Sequence, residues 1–438
     1  MVHIYELADL DTAQRARLMR RAEVAIDDLL EYVRPIVQGV RERGDAALLE
    51  YMERFDHVHL TADRLRVSRV EIERAYDLLD KDVLSAMKVA IHNVRTFHER
   101  QMPQEQWFTQ VAPGVMAGEK ITPITNIGLY VPRGKGAFPS VMYMLATPAS
   151  IAGVPRIVVC TPPAANGEVD PASLVAADLS GVHEIYRAGG AQAIAALAYG
   201  TETIARVRKV TGPGSPYVSA AKRLLYGTFD VGLPAGPSES VLLADQYADP
   251  ALVALDLMVE AEHGPDSSSL LVTDSRALLE AVQKLLPAKI AALPEPRQSF
   301  CRTGFEGEKG TGGLVLASDM REAIDFVNEY APEHLLVHTR EPFAILPDLK
   351  NAGEILLGSR TSGPLANYAL GTNAILPTGG FAHSFSSTSV YDFLKRTTLG
   401  YVTPEGYGPL SEATRRLADF EGFPSHALAV TDRPESRY

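Results

Sequence analysis

The chain has 438 residues, 46% of them hydrophobic and 22% charged, an ordinary soluble composition with enough length for two or three cores. Lys and Arg number 42 against 54 Asp and Glu, and the formal charge of −12 argues against a nucleic-acid surface or an anionic membrane as main partner. Two cysteines make neither a disulfide framework nor a CxxC zinc site and suit a reducing compartment; the start MVHIYELADLD is unlike a signal peptide, no apolar run reaches spanning length, and a cytoplasmic location is expected.

Residues 1–27 read as a charged helical arm lying over a neighbouring surface. Residues 28–105 read as several helices, with Pro35 and Gly39 as candidate breaks. His92 and His98, on the periodic stretch VLSAMKVAIHNVRTFHERQ, read as partly buried structural histidines. From Ile124 the rhythm changes to short β runs alternating with helices: NIGLYV, RIVVCTPP, HEIYRAGG and VRKVTGPG as strands, each followed by a helix. A second series repeats the pattern through SVLLAD, SSSLLVTD, GGLVLASD, LLVHT and AGEILLGS. Such β-α alternation predicts parallel, doubly wound sheets, here two α/β units of similar build. Residues 389–438 return to helical patterns, VYDFLKR and SEATRRLADFEG, and form a C-terminal tail.

Several groups on this frame carry chemistry. In ADPALVALDLMVEAEHGPD (248–266), Asp249 and Pro250 suit the first turn of a helix that Gly264-Pro265 stops. Glu260 and His263 stand three apart and share a face, so a carboxylate and an imidazole can converge on a divalent ion; a solvated pair at a helix end is the plainer alternative. Three Gly-rich turns, at 132–136, 188–192 and 212–215, pass from strand to helix, where phosphates are favoured, although none is a GxGxxG. Glu333 and His334 follow a helix across Pro332, a general-base pair if partly buried. Asn367 precedes the polar loop GTNAILPTGG (371–380), and Glu421 and His426 lie near the end. Cys160 ends a strand and reads as a small buried hydrophobe, with no base beside it in sequence.

Taken together, FHERQ (97–101), GLYVPRG (128–134), ATPASIAGV (146–154), AGGAQAIAALAYGT (188–201), LPAGPSE (233–239), AEHGPD (261–266), APEHL (331–335) and GTNAILPTGG make the chain resemble the histidinol dehydrogenase family over nearly its full length. The resemblance implies an α/β protein of two Rossmann-like doubly wound domains with a helical N-terminal arm and C-terminal tail, in an intertwined homodimer. The expected division is 1–27 for the arm, 28–129 plus 238–388 for the larger domain, 130–237 for the NAD side, and 389–438 for a tail reaching the partner subunit. It implies NAD and one zinc ion per site, and oxidation of a primary alcohol through a bound aldehyde to a carboxylate. The family's zinc ligands fall on Glu260, His263, Asn367 and His426, the last lent by the partner's tail. Its catalytic pair falls on Glu333 and His334. Its NAD contacts fall on Tyr130, Gln192 and Ser215, and its substrate contacts on Ser238 and Glu421 beside the metal-site residues and His334.

Departures from the family pattern bear on the substrate. Glu260 stands where the family has Gln, and Asn367 where it has Asp, so one carboxylate and one amide remain but exchange places. Ala374 replaces the His that helps hold histidinol, Ser215 replaces an Asn, and Arg133 and Lys135 stand in a turn usually built of small residues. The sequence-based expectation is a small anionic alcohol, 2,3-dihydroxypropane-1-sulfonate oxidised to 3-sulfolactate, as in the sulfopropanediol 3-dehydrogenase branch of the family. The alternatives are L-histidinol, a zinc hydrolase working without NAD, and an idle ligand-binding relative.

Overall fold

The computed structural model describes residues 2–21, 26–133, 136–307 and 310–433. Its strands in chain order are β1 (Ile4–Glu6), β2 (Gln106–Ala112), β3 (Val115–Pro123), β4 (Ile127–Tyr130), β5 (Ile157–Thr161), β6 (Glu184–Arg187) and β7 (Lys209–Thr211). There follow β8 (Glu239–Ala244), β9 (Ser268–Thr273), β10 (Gly313–Leu316), β11 (His334–His338), β12 (Glu354–Leu357) and β13 (Leu394–Val402).

The β-α alternation becomes two parallel sheets, ordered β6-β5-β4-β7 and β1-β10-β9-β8-β11-β12. Every residue of β4, β8, β9 and β11 is buried, because helices cover both faces and leave no wet side to alternate toward. Both sheets wind the same way. In the smaller one the chain runs outward from β4 to β6 and then returns to place β7 on the far side of β4. In the larger it runs from β8 to β10 and returns to place β11 on the far side of β8. Each sheet therefore has a reversal of strand order, between β4 and β7 and between β8 and β11, where an open crevice forms at the carboxyl ends. At the second reversal a crevice of about 530 Å³ is lined by Asp245, Tyr247, Asp274, Thr339, Arg340 and Glu341, among others.

The structure corrects the sequence reading at both ends. The arm expected to be helical opens with β1, which pairs in parallel with β10 through Ile4 and Leu314 and completes the edge of the larger sheet. Three residues are too few to show a period, so the strand was hidden in HIYEL. The helix Thr12–Arg20 follows, started by a capping box between Asp11 and Gln14. The tail expected to be helical opens with a single 3-10 turn, Val390–Phe393, and then runs into β13, which pairs antiparallel with β3 in a third sheet, β13-β3-β2. The small sheet is half-exposed or exposed along most of its length, so its inside-outside alternation is weak. Helices Pro404–Phe420 and Pro424–Thr431 then run as expected.

Pro35 and Gly39 break nothing: one helix, Ile26–Arg43, passes through both. Gly39 instead admits a neighbour, since a Cβ there would lie 2.4 Å from the Tyr51 hydroxyl. Among the described residues, no helix is long and apolar enough to cross a membrane.

Candidate active site

The helix Pro250–Ala261 is capped by Asp249, whose carboxylate accepts from the Ala251 amide, and Pro250 occupies its first position. It ends at Ala261, but one further turn carries the chain on, with the His263 amide donating to Glu260 O at 3.1 Å. That turn brings Glu260 and His263 together as their spacing predicts: His263 Nδ1 lies 3.0 Å from Glu260 Oε2. Asn367, on the short helix Gly363–Tyr368, donates to Glu260 Oε1 at 3.1 Å. The Ser238 hydroxyl reaches His263 Nδ1 at 3.0 Å.

Glu333 and His334 arrive from the other side. The helix Met320–Tyr330 is stopped by Ala331 in the left-handed region at φ 49°, a conformation costly for a residue with a Cβ. Pro332 follows, and β11 starts at His334. Adjacent residues of a strand face opposite ways, but Glu333 precedes the strand and its Oε2 accepts from the Glu239 amide at 2.9 Å. Its Oε1 thus comes to 3.8 Å from His334 Nε2, which is also 3.9 Å from Glu260 Oε1.

Two carboxylates that the sequence reading did not single out complete this wall. Glu354, at the start of β12, accepts from His334 Nδ1 at 2.6 Å. Glu239, at the start of β8, is paired with Arg21 Nη1 at 2.8 Å and accepts from the Gly379 amide. Arg21 in turn lies over the Tyr330 ring, 4.0 Å from its centre, so the N-terminal arm supplies a buried cation. Nothing in NAGEILLGS marks its Glu as a partner of a histidine; the pairing comes from register, His334 opposite Glu354 in neighbouring strands. A charged residue at the head of a buried apolar run was the available signal.

The electrostatics follow from burial and crowding. Burial opposes the charged form of Glu260, but His334, His263 and the Asn367 amide hold its carboxyl below the usual range. Burial pushes the Glu333 carboxyl up despite His334 beside it. Burial lowers the His334 imidazole, and Glu260, Glu333 and Glu354 outweigh that and raise it. Four buried carboxylates thus share one wall with two imidazoles and one arginine. Glu260 Oε2 is buried, makes no well-aligned hydrogen bond and has His263 Nδ1 at 3.0 Å, so the pair shares a spot that a cation would satisfy.

Glu260, His263 and Asn367 therefore offer a carboxylate, an imidazole and an amide from one place, a donor set that fits zinc. Among the described residues, no group of three or more His, Cys, Asp or Glu is disposed to hold a metal, and the third donor beside Glu260 and His263 is the Asn367 amide. The two C-terminal residues are not brought to this cluster within one chain. Glu421 caps the helix Pro404–Phe420, and His426 stacks on Phe423 at 5.0 Å; both are exposed.

The residues expected to meet NAD lie at the carboxyl edge of the smaller sheet. Tyr130 ends β4 and its hydroxyl accepts from the Gly190 amide at 3.1 Å. Gln192 is buried in the first turn of the helix Gly190–Tyr199, and Ser215 stands exposed before the helix Pro216–Leu225. Neither helix start has a side-chain cap, which leaves amides for an anion. Gly212, at φ 124°, lets this turn pass close to β4: a Cβ there would lie 2.0 Å from Tyr130 O. Arg133 is exposed, and Lys135 lies outside the described residues.

Neither cysteine is disposed to act as a nucleophile. Both are buried, and burial pushes the Cys301 thiol up to about 12 and Cys160 higher still. His98 is buried as expected, its Nδ1–H donating to Val94 O at 2.7 Å, whereas His92 is exposed.

The model of the histidinol dehydrogenase family matches residues 19–434. The chain belongs to the histidinol dehydrogenase family. It is 50% identical over 433 residues to a histidinol dehydrogenase of Synechocystis sp., covering 99% of each chain. It is 48% identical over 431 residues to histidinol dehydrogenase homolog 2 of Mesorhizobium japonicum, covering 98% of each. The crystal structure of histidinol dehydrogenase from Elizabethkingia anophelis superposes with a TM-score of 0.92 at 33% identity, over 98% of this chain and 97% of that one. The protein is thus an α/β oxidoreductase acting on CH–OH donors, from a family that is generally NAD-dependent, zinc-binding and homodimeric.

Proposed function

We propose that this chain oxidises a small primary alcohol through a bound aldehyde to a carboxylate, with NAD and zinc, using His334 as base and Glu333 to activate water. The observation that carries the reading is the convergence of His334 Nε2 with Glu333 at 3.8 Å and Glu260 at 3.9 Å, beside His263 and Asn367. Glu260, His263 and Asn367 would hold the metal, joined by His426 of a second copy. Tyr130, Gln192 and Ser215 would line the nucleotide.

When bound, zinc supplies a Lewis acid for substrate oxygen and offsets the charge of Glu260, and NAD supplies the hydride acceptor. His334 Nε2 takes the hydroxyl proton as hydride leaves the carbinol carbon. Ser238 and His263 bound the same wall and keep the aldehyde in place. His334 passes the alcohol proton to solvent, Glu333 takes a proton from the water adding to the aldehyde, and His334 then receives the hydrate's hydroxyl proton as the second hydride leaves to a second NAD.

The substrate's distal group is read from the charge of the wall. Glu239, Glu260, Glu333 and Glu354 have buried side chains here, and among the described residues the arginine paired with them, Arg21, already serves Glu239. Such a wall suits an amino alcohol such as L-histidinol better than an anion. The sulfonate reading keeps in its favour Ala374, which gives up an imidazole at the loop that Asn373 anchors, and the Glu260–Asn367 exchange, beside the exposed Arg133. NADH production from L-histidinol, 2,3-dihydroxypropane-1-sulfonate and glycerol phosphate decides between them. Higher kcat/KM for histidinol is expected. A sulfonate preference would remove the charge argument, and turnover without NAD would remove the oxidoreductase mechanism.

A further inference from the structure

We propose that Glu354 is a positioning residue for His334, fixing which imidazole nitrogen faces the substrate. The inference rests on the reading of His334 as base.

β11 and β12 run parallel with His334 opposite Glu354, so the two side chains leave the sheet on one face. His334 Nδ1 meets Glu354 Oε1 at 2.6 Å, with 4% and 7% of the side chains exposed. An ionised carboxylate only accepts hydrogen bonds, so Nδ1 carries a proton. When the ring is neutral its lone pair is then on Nε2, the atom that faces Glu333 and Glu260. Without Glu354, the other tautomer would turn the lone pair away from the substrate.

Glu354 is itself held. Thr372 Oγ1 lies 3.5 Å from its second oxygen. The next residue, Asn373, is 2% exposed; its amide nitrogen donates to Met144 O at 2.7 Å and lies 3.3 Å from His98 Nε2, and its amide oxygen accepts from Ile375 N. Gly371, at φ 109°, turns the loop in against Asn93, where a Cβ would lie 2.9 Å from Asn93 O. The carboxylate thus joins the base to a loop anchored in the helices packed on the smaller sheet. A chain that merely tolerated a buried carboxylate would leave it turned to water; here both oxygens have partners.

The test uses Glu354→Gln, which keeps size and shape, and Glu354→Ala, in the full-length enzyme loaded with zinc. Glu354→Gln is expected to lower kcat by about a hundredfold, with KM changed far less. In a His334→Asn background, the same substitution is expected to change kcat little, because the group it positions is gone. A purely structural role would lower activity in both backgrounds. A further readout needs no turnover: the downfield proton resonance of the His334 Nδ1–H, assigned by its loss in His334→Asn, moves upfield in Glu354→Gln and vanishes in Glu354→Ala. Wild-type kcat in Glu354→Gln while His334→Asn is inactive, or an unmoved resonance, would overturn the inference. Failure of the functional reading looks different: His334→Asn keeps full activity, or the wild type makes no NADH from any alcohol, while the resonance still reports on Glu354.

Discussion

The chemistry of single side chains separates residues that are merely present from residues that can react. Cys160 sits at 0% exposure with its thiol held protonated, whereas His334 is surrounded by three carboxylates that could share its proton. Cys160→Ala is therefore expected to retain most of the turnover, and His334→Asn to lose about a hundredfold or more in kcat; steady-state NADH formation with folded variants checks both. Glu333 and His334 were readable in sequence because they adjoin each other after a helix stop. Glu354 was not, because its meaning depends on a strand register 20 residues downstream.

Among the elements, the helix Pro250–Ala261 was the most legible: its cap, its first-turn proline and the Glu260–His263 spacing are all local. β1, β2, β3 and β13 were not, since they are short or exposed and gain their order from partners far along the chain. The same helix buries Asp256, whose Oδ2 lies 3.3 Å from His338 Nε2 in β11. Burial raises the Asp256 carboxyl to about 6 and lowers the His338 imidazole. A folded-state value above the unfolded one favours the fold below the unfolded value, and that benefit is lost as pH rises through about 6. Asp256→Asn removes that loss. Its melting temperature relative to wild type is expected to be higher at pH 8 than at pH 5, by on the order of 2 °C. An equal difference at both pH values would mean that the Asp256 carboxyl is not raised into the range between them.

At the scale of the whole molecule, the C-terminal helices raise the question of where they dock. Thr403 N donates to Gly114 O at 2.8 Å, which ties them to the β2–β3 hairpin, and Phe420 at their bend is 90% exposed. Trp107, Phe108, Val111 and Tyr401 on the small sheet are exposed too. On the proposed reading, a second copy would cover these groups and lend His426 to its partner's metal site. Refolding an equal mixture of His334→Asn and His426→Ala chains then has a definite outcome. Each parent is expected to keep about a hundredth of wild-type activity or less, while half of the dimers are mixed and each has one intact site, giving about a quarter of wild-type activity. No recovery would place each site within one chain.

The crevice between β8 and β11 bears on how often the enzyme must reload. Its walls are acidic: burial raises the Asp274 carboxyl, and Asp245 and Asp319 raise it further. Asp245, Asp274 and Glu341 outnumber Arg340 there, a balance that disfavours a pyrophosphate, although the winding of the sheet has reproduced the place where one usually rests. On the proposed reading, the two matching halves would then provide one berth for a dinucleotide, not two. Because the route from alcohol to acid releases two hydrides, the first spent carrier has to leave and a fresh one enter while the half-oxidised carbon waits. The residence time of the aldehyde, not the speed of either proton transfer, then sets how much of it escapes.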